Sequence, residues 1–360
     1  MLTPEQITFA RTTLQNAKTP LFIHDDDADG LCSFLVLYHI NHEGRNFIPK
    51  GSRRLDASHA QTIKQYHPDA IFILDLPEVE QEFLDAFSCP IIWMDHHEPK
   101  IRSKVTYINP RLIDNAAYYP TTAMAYEISQ DPKYLWIATA GALADYYLPP
   151  YIKEFSKMYP QFLKKQTTLP KILFTSETGL LVKFFFFILK GQTQDVRDAL
   201  KVLMKIKEPS EIFEESTPQG KFLHRRFTGI NEKYNEILQD VLKQVTRSPI
   251  LYYEYSDSKW SFTTNLANEL TVRFPKKVII ITRKKDDEMK ASLRAQFAIE
   301  PLIQLAMQNV QGHAGGHPNA CGAVIKIESW PLFMNQFKSN IKLVKEKKKN
   351  LLNNNVLNKI

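Results

Sequence analysis

Cysteine is scarce in this chain. Cys32, Cys89 and Cys321 are the only three among 360 residues, they stand far apart, and no Cys-x-x-Cys pair exists. Neither a disulfide framework nor a thiolate-rich zinc site fits that spacing, so a reducing cytoplasm is the expected compartment. Long apolar runs are also missing. The most apolar stretch, Phe184-Phe-Phe-Phe-Ile-Leu189, lies between Lys183 and Lys190. It is far shorter than the roughly 20 residues of a membrane-spanning helix. The start, Met1-Leu-Thr-Pro-Glu-Gln, has no basic segment followed by an apolar core. No signal peptide and no membrane role are expected.

In bulk the chain is ordinary, with 44% hydrophobic residues and a net charge of +7. Its length suggests two domains. The mild basic excess suits a partner that carries phosphate.

The informative stretch is Pro20-Leu-Phe-Ile-His-Asp-Asp-Asp-Ala-Asp-Gly30. Asp25, Asp26, Asp27 and Asp29 directly follow an apolar run that reads as a short buried strand. Burying so much negative charge costs heavily unless cations accompany it. A single acidic cluster is ordinarily a hydrated turn, but here the pattern recurs. The apolar run 70–74 ends at Asp75, and the run 90–94 ends at Asp95-His96-His97. Continuous rather than alternating hydrophobicity indicates strands covered on both faces, as in a parallel sheet. Helical patterns over 30–42, 57–65 and 78–87 fall beside and between them, after a first helix capped by Thr3 with Pro4 at its first position.

Strand–helix–strand order brings the carboxyl ends of such strands to one edge, where open α/β sheets bind ligands. Downstream, a strand over 105–108 precedes Asn109-Pro110-Arg111, and helices are expected over 121–130 and 135–147. The second of these helices holds a lone acid, Asp145, in Gly141-Ala-Leu-Ala-Asp. That acid is either an isolated oddity or a further ligand at the same edge. His24 and Asp26 read as a satisfied strand-end histidine and a solvated neighbour.

The fold class is therefore α/β: a parallel-sheet domain over 1–150, a helical connecting segment over 151–247, a smaller α/β domain over 248–335 and a basic, asparagine-rich tail over 336–360. The tail has the composition for nonspecific phosphate affinity. The phenylalanine run reads as core. In the smaller domain, strands are expected over 250–255, 277–282, 289–296 and 321–327, with a helix over 298–308. Gly312-His-Ala-Gly-Gly-His317-Pro-Asn319-Ala-Cys-Gly322 reads as a glycine-rich loop entering a strand, with Gly315 and Gly316 opening backbone amides to an anion. His317 and Asn319 add donors, and Arg294 on the neighbouring strand can clamp a phosphate.

Hard oxygen ligands with one or two imidazoles favour Mn²⁺ or Mg²⁺. Five or six carboxylates suit two cations about 3.5–4 Å apart, with a phosphodiester as the best-fitting substrate. Asp75, alone on the middle strand, is the natural bridging ligand.

Asp25-Asp-Asp27-Ala-Asp29-Gly30, Asp75, Asp95-His96-His97 and Gly-Ala-Leu-Ala-Asp145 resemble, in order and spacing, the four motifs of the DHH phosphoesterase superfamily. Gly315-Gly316-His317-Pro-Asn-Ala-Cys-Gly322 resembles the signature of the associated DHHA1 domain. The form of the first motif, and Asn109-Pro110-Arg111, look RecJ-like. The resemblance implies that Asp25, Asp27 and Asp75 hold one Mn²⁺, and that Asp29, Asp75, His96 and Asp145 hold the other. It implies that Asp95 orients its histidine, that His97 contacts the scissile phosphate, and that His317 with Arg294 grips a phosphate across a groove between the domains. The implied activity is that of a Mn²⁺-dependent nuclease, with hydroxide attacking in line on single-stranded DNA or RNA to release 5′-nucleotides. The OB domain of bacterial RecJ has no counterpart here, so compact archaeal RecJ-like proteins are the nearer likeness. The alternatives are a hydrolase of very short substrates (nano-RNA, a cyclic dinucleotide or 3′-phosphoadenosine phosphate) and a Cdc45-like replisome partner that binds GINS.

Overall fold

The computed structural model describes residues 2–49, 53–164, 168–256 and 259–357, with side chains as far as Leu343. It divides into two compact units, Met1–Gly229 and Ile230–Ile360.

The first unit opens with α1 (Pro4–Asn16), whose N-cap Thr3 and Gln6 form a reciprocal capping box. Then come β1 (Pro20–His24), α2 (Ala28–Tyr38), β2 (Arg45–Phe47), β3 (Arg54–Leu55), α3 (Ala57–Lys64), β4 (Ala70–Leu74) and β5 (Glu78–Val79). The series continues with α4 (Gln81–Asp85), β6 (Ile91–Met94), β7 (Thr106–Ile108), α5 (Thr121–Ser129) and α6 (Leu135–Ala144). Five strands form a parallel sheet in the order β2-β1-β4-β6-β7.

Both faces of that sheet are covered, which is why its strands read as unbroken apolar runs. On one face Leu21, Ile23, Ile71, Ile73, Ile91 and Trp93 pack with Ile63 of α3 and Phe83 of α4. On the other, the Phe22 ring lies 5.2 Å from Phe34 of α2 and 5.5 Å from Phe72. The chain leaves β1 toward β2 and then returns past it to β4. The order of the strands therefore reverses between β1 and β4, at the carboxyl ends that carry Asp25 and Asp75.

Helices α7 (Ile152–Met158), α8 (Leu169–Thr175), α9 (Glu177–Ile188), α10 (Thr193–Leu203) and α11 (Pro209–Phe213) belong to this same unit, and the division falls within α12 (Pro218–Lys243). The phenylalanine run lies on α9 and is core. Phe185 packs 5.7 Å from Trp136 of α6, and Phe184 meets Phe213 and Phe227. Each such fully buried ring stabilises the unit by roughly 1.5–3 kcal/mol.

The second unit contains β8 (Ile250–Tyr255), α13 (Thr263–Arg273), β9 (Val278–Lys285), β10 (Glu288–Arg294), α14 (Glu300–Ala306), β11 (Gly312–His317), β12 (Ala320–Lys326) and α15 (Trp330–Leu357). Its mixed sheet runs β11-β12-β10-β9-β8, with only the β8–β9 pair parallel. One face buries Met289, Leu293 and Ile325 against Ile303 of α14 and Phe333 and Phe337 of α15.

One sequence expectation is corrected by the structure, and one helix is not identified from the sequence. The stretch 312–317 is not a loop but an edge strand paired along its length with β12. Glycine has little intrinsic strand preference, and pairing with β12 overrides it. Gly316 has φ 143°, and a Cβ there would come within 2.6 Å of the Ala320 carbonyl oxygen. A helix, α13, also fills the connection between the parallel strands β8 and β9, which a parallel pair requires. The basic run and asparagine-rich end past Leu343, on which the expectation of phosphate affinity falls, have side chains outside the described residues. No helix among the described residues is long and apolar enough to cross a membrane.

Candidate metal centre

The acids of the first unit converge at the carboxyl edge of its sheet. Asp25 immediately follows β1 and is buried. Asp27 is the N-cap of α2, where its carboxylate accepts the Gly30 amide at 3.0 Å. Gly30 is required by close approach: a Cβ there would lie 2.8 Å from both the Asp25 amide nitrogen and its carbonyl oxygen. Asp29 points from the first turn of α2 into the N-terminus of α5. Its two oxygens accept the Thr121 amide at 2.8 Å and the Thr122 amide at 2.9 Å. Those amides are free because they open a helix, and the α5 dipole adds to the attraction.

Asp75, 1% exposed, follows β4 with φ 61°. A left-handed backbone costs a side-chain-bearing residue on the order of 1–2 kcal/mol. The strain turns the carboxylate away from the strand direction and into the cluster. Asp95, fully buried after β6, accepts His97 Nδ1 at 2.7 Å and the His97 amide at 3.1 Å. The histidine that Asp95 orients is therefore His97, whose neighbour His96 faces the other acids. His96 Nε2 stands 3.2 Å from an Asp75 oxygen and 3.5 Å from Asp145, the C-cap of α6. His96 Nδ1 is buried without a partner. Asn109 donates to Asp95 and to the His97 carbonyl, tying β7 to the same cluster.

Among the described residues, three groups have ligand atoms within 4.8 Å of one another: Asp25 with Asp27 and Asp75, Asp29 with His96 and Asp145, and Asp75 with His96 and His97. Six sequence-predicted ligands thus meet in overlapping sets that share Asp75 and His96. His24 and Asp26 stand apart from all three. His24 is buried in a satisfied position, bonded to the Asp25 carbonyl and stacked on Phe34.

The charges show what such a cluster needs. Burial, then the neighbouring Asp27, raises the Asp25 carboxyl to about 6 and Asp29 to about 7. Burial and then Asp29 raise Asp145 to about 8, and burial and then Asp27 lift Asp75 well above the carboxylate range. Burial lowers His96 to about 4, keeping it neutral and able to ligate. Mutual repulsion in a buried acid cluster is relieved by divalent cations, and this donor set of carboxylate oxygens with imidazole fits Mn²⁺ or Mg²⁺.

Four contributors escaped the sequence reading. Arg53, delivered by the two-residue pair β3–β5, donates to Asp25 at 2.7 Å and to His97 Nε2 at 3.1 Å. Thr121 and Thr122 hold Asp29, as above. Tyr118 donates to an Asp145 carboxylate oxygen at 2.8 Å. Tyrosine, threonine and arginine in a loop carry no spacing signal, so only the fold reveals them.

The sequence-predicted phosphate ligands lie in the second unit. His317 and Asn319 are exposed at the β11–β12 turn, with Gly315 and Gly316 on the edge strand itself. Arg294 is turned inward. Its Nε donates to Asn268 at 2.7 Å, and its Nη1 donates to the Leu293 and Cys321 carbonyls.

Comparison with known proteins agrees with this geometry. The family model for the DHH family, N-terminal domain, matches residues 21–148, and the DHHA1 domain model matches residues 248–343. The comparison with curated proteins finds no match. Among solved structures, RecJ of Thermus thermophilus with Mn²⁺ superposes with a TM-score of 0.65 at 14% identity, over 94% of this chain and 55% of that one. This chain thus spans about half the length of that relative. An exonuclease RecJ bound to manganese gives a TM-score of 0.56 at 14% identity, covering 93% of both chains. The DHH domain of a member of the s1p family of ribosomal proteins gives 0.64 at 12% identity, over 94% of this chain and 89% of that one. With both domain models in place on a parallel sheet that gathers the motif residues at one edge, the chain belongs to the DHH/DHHA1 superfamily and has a RecJ-like fold.

Proposed function

We propose that this protein is a divalent-cation-dependent phosphodiesterase that removes nucleotides from single-stranded DNA or RNA. The observation that carries the reading is the overlap of three ligand groups around Asp75 and His96. Asp25, Asp27 and Asp75 would hold one cation, and Asp29, Asp75, His96 and Asp145 the other. Bound cations of this kind acidify water and neutralise phosphate oxygens during in-line displacement. Mn²⁺ is the favoured ion on donor chemistry, and RecJ of Thermus thermophilus has been solved with Mn²⁺ and with Mg²⁺.

The chain's own groups do the rest. Asp95 fixes His97 with Nδ1–H donating, which leaves Nε2 directed toward Arg53. Arg53 then presents its guanidinium to the substrate phosphate, and His97 joins it as a donor when Nε2 also carries a proton. Thr121 and Thr122 anchor Asp29 so that it cannot turn away when charge in the centre changes. In the second unit, exposed His317 and Asn319 would bind a phosphate, while Arg294 would act through the turn it braces.

Substrate length tests the reading. With Mn²⁺, a labelled single-stranded 30-mer should be degraded stepwise to 5′-nucleotides. Strong preference for a dinucleotide would move the assignment to a hydrolase of very short substrates, and no turnover of either would overturn the assignment. Asp95→Asn tests the role of His97. Turnover should fall about 10- to 100-fold with Mn²⁺ stoichiometry retained, and unchanged turnover would remove His97 from the mechanism.

A further inference from the structure

Tyr118 stands at the centre in an unusual way. Its hydroxyl donates to the Asp145 carboxylate at 2.8 Å and also to the Asp145 carbonyl. Its ring meets the His96 ring edge to face, with centroids 5.6 Å apart and planes at 75°. Yet the residue is 52% exposed. The ring is therefore held at its tip by Asp145 and beside His96, while about half of the residue faces water. A ring fixed in this way has little rotamer freedom left to lose on binding.

Leu112 and Ile113, on the connection that carries Tyr118, are exposed, as are Tyr146 and Leu148 just beyond Asp145. Singly exposed apolar side chains are common, so these four count only as sequence neighbours of Tyr118 and Asp145, and the surface that matters is the Tyr118 ring itself. A bare phosphodiester offers nothing flat or apolar to such a surface, whereas a nucleobase offers both.

We infer that Tyr118 is the platform on which the nucleobase of the nucleotide at this centre stacks. The inference rests on the phosphodiesterase reading and deepens it by naming the residue that meets the base. Because every base has a π-face, the platform favours having a base over none and does not select among bases.

The test compares AMP with ribose 5-phosphate by calorimetric titration of the full chain in Mn²⁺. Wild type should bind AMP about tenfold more tightly, toward the low end of what one stacked base contributes. Tyr118→Phe keeps the ring and should keep that ratio. Tyr118→Leu should bring it close to one, whatever it does to the affinity for both ligands through Asp145. A wild type that does not distinguish the two ligands, or a Tyr118→Leu variant that still does, overturns the platform. Oligonucleotide hydrolysis by the same wild-type preparation separates the two claims. Discrimination without hydrolysis retains the platform and removes the phosphodiesterase. Hydrolysis without discrimination removes only the platform.

Discussion

Asp75→Asn is expected to lower phosphodiester hydrolysis by at least about a thousandfold, because the change removes the one ligand common to both proposed cations. Asparagine tolerates the left-handed backbone that Asp75 adopts, so the fold should survive. The variant should in fact be more stable than wild type without metal at pH 8. It lacks the buried acid that Asp27, Asp29, Asp25 and Asp145 all oppose. Asp75→Ala should lose the same activity but should not match asparagine in stability, since alanine adopts this backbone less readily. Near-normal turnover by Asp75→Asn would contradict the two-cation arrangement. Lower metal-free stability would contradict the electrostatic account.

The second large effect is on stability. Without divalent cation, Asp29 near 7, Asp145 near 8 and Asp75 well above the carboxylate range hold protons in the folded state that the unfolded chain has already released. Stability from these groups is therefore lost as pH rises through their folded values. The depressed imidazoles act oppositely. His24 and His96 near 4 and His39 near 3 contribute stability that is present above about 6.5 and lost as pH falls. Between pH 6.5 and 8 the carboxylates change most; the imidazoles, half protonated in the unfolded chain at about pH 6.5, change in the opposite direction and by less. The metal-free protein should lose stability across that window, by an amount on the order of a few kcal/mol. Mn²⁺ replaces the protons, so it should raise the melting temperature by several degrees at pH 8 and by less at pH 6.5. Thermal melts with chelator and with Mn²⁺ at both pH values decide this. An ion effect equal at the two pH values would contradict it.

Much of the centre was legible because parallel strands leave a strong signature. The runs at 70–74 and 91–94 are apolar on both faces, and each ends abruptly in acid or histidine. Such a boundary is visible without knowing the fold. The hidden contributors belong to weaker elements. The pair β3–β5 has two residues a strand, too few for any periodicity, yet it places Arg53 against Asp25. Asp29 resembles its neighbours in sequence but differs from them in space, because only the packing of α5 on α2 shows both of its oxygens taken by backbone amides. In the second unit, the glycines of β11 argued for a loop, and the ladder with β12 that overrules them is a long-range fact. Arg294 had the right chemistry for a phosphate clamp, but its neighbours Asn268 and Cys321 use much of its donor capacity.

Diffraction at the manganese absorption edge, from crystals of the full chain grown with Mn²⁺, is the most direct test. Two anomalous peaks roughly 3.5–4 Å apart are predicted, one among Asp25, Asp27 and Asp75 and the other among Asp29, Asp75, His96 and Asp145. Their absence at saturating Mn²⁺, or peaks only at surface carboxylates away from Asp75, would contradict the account.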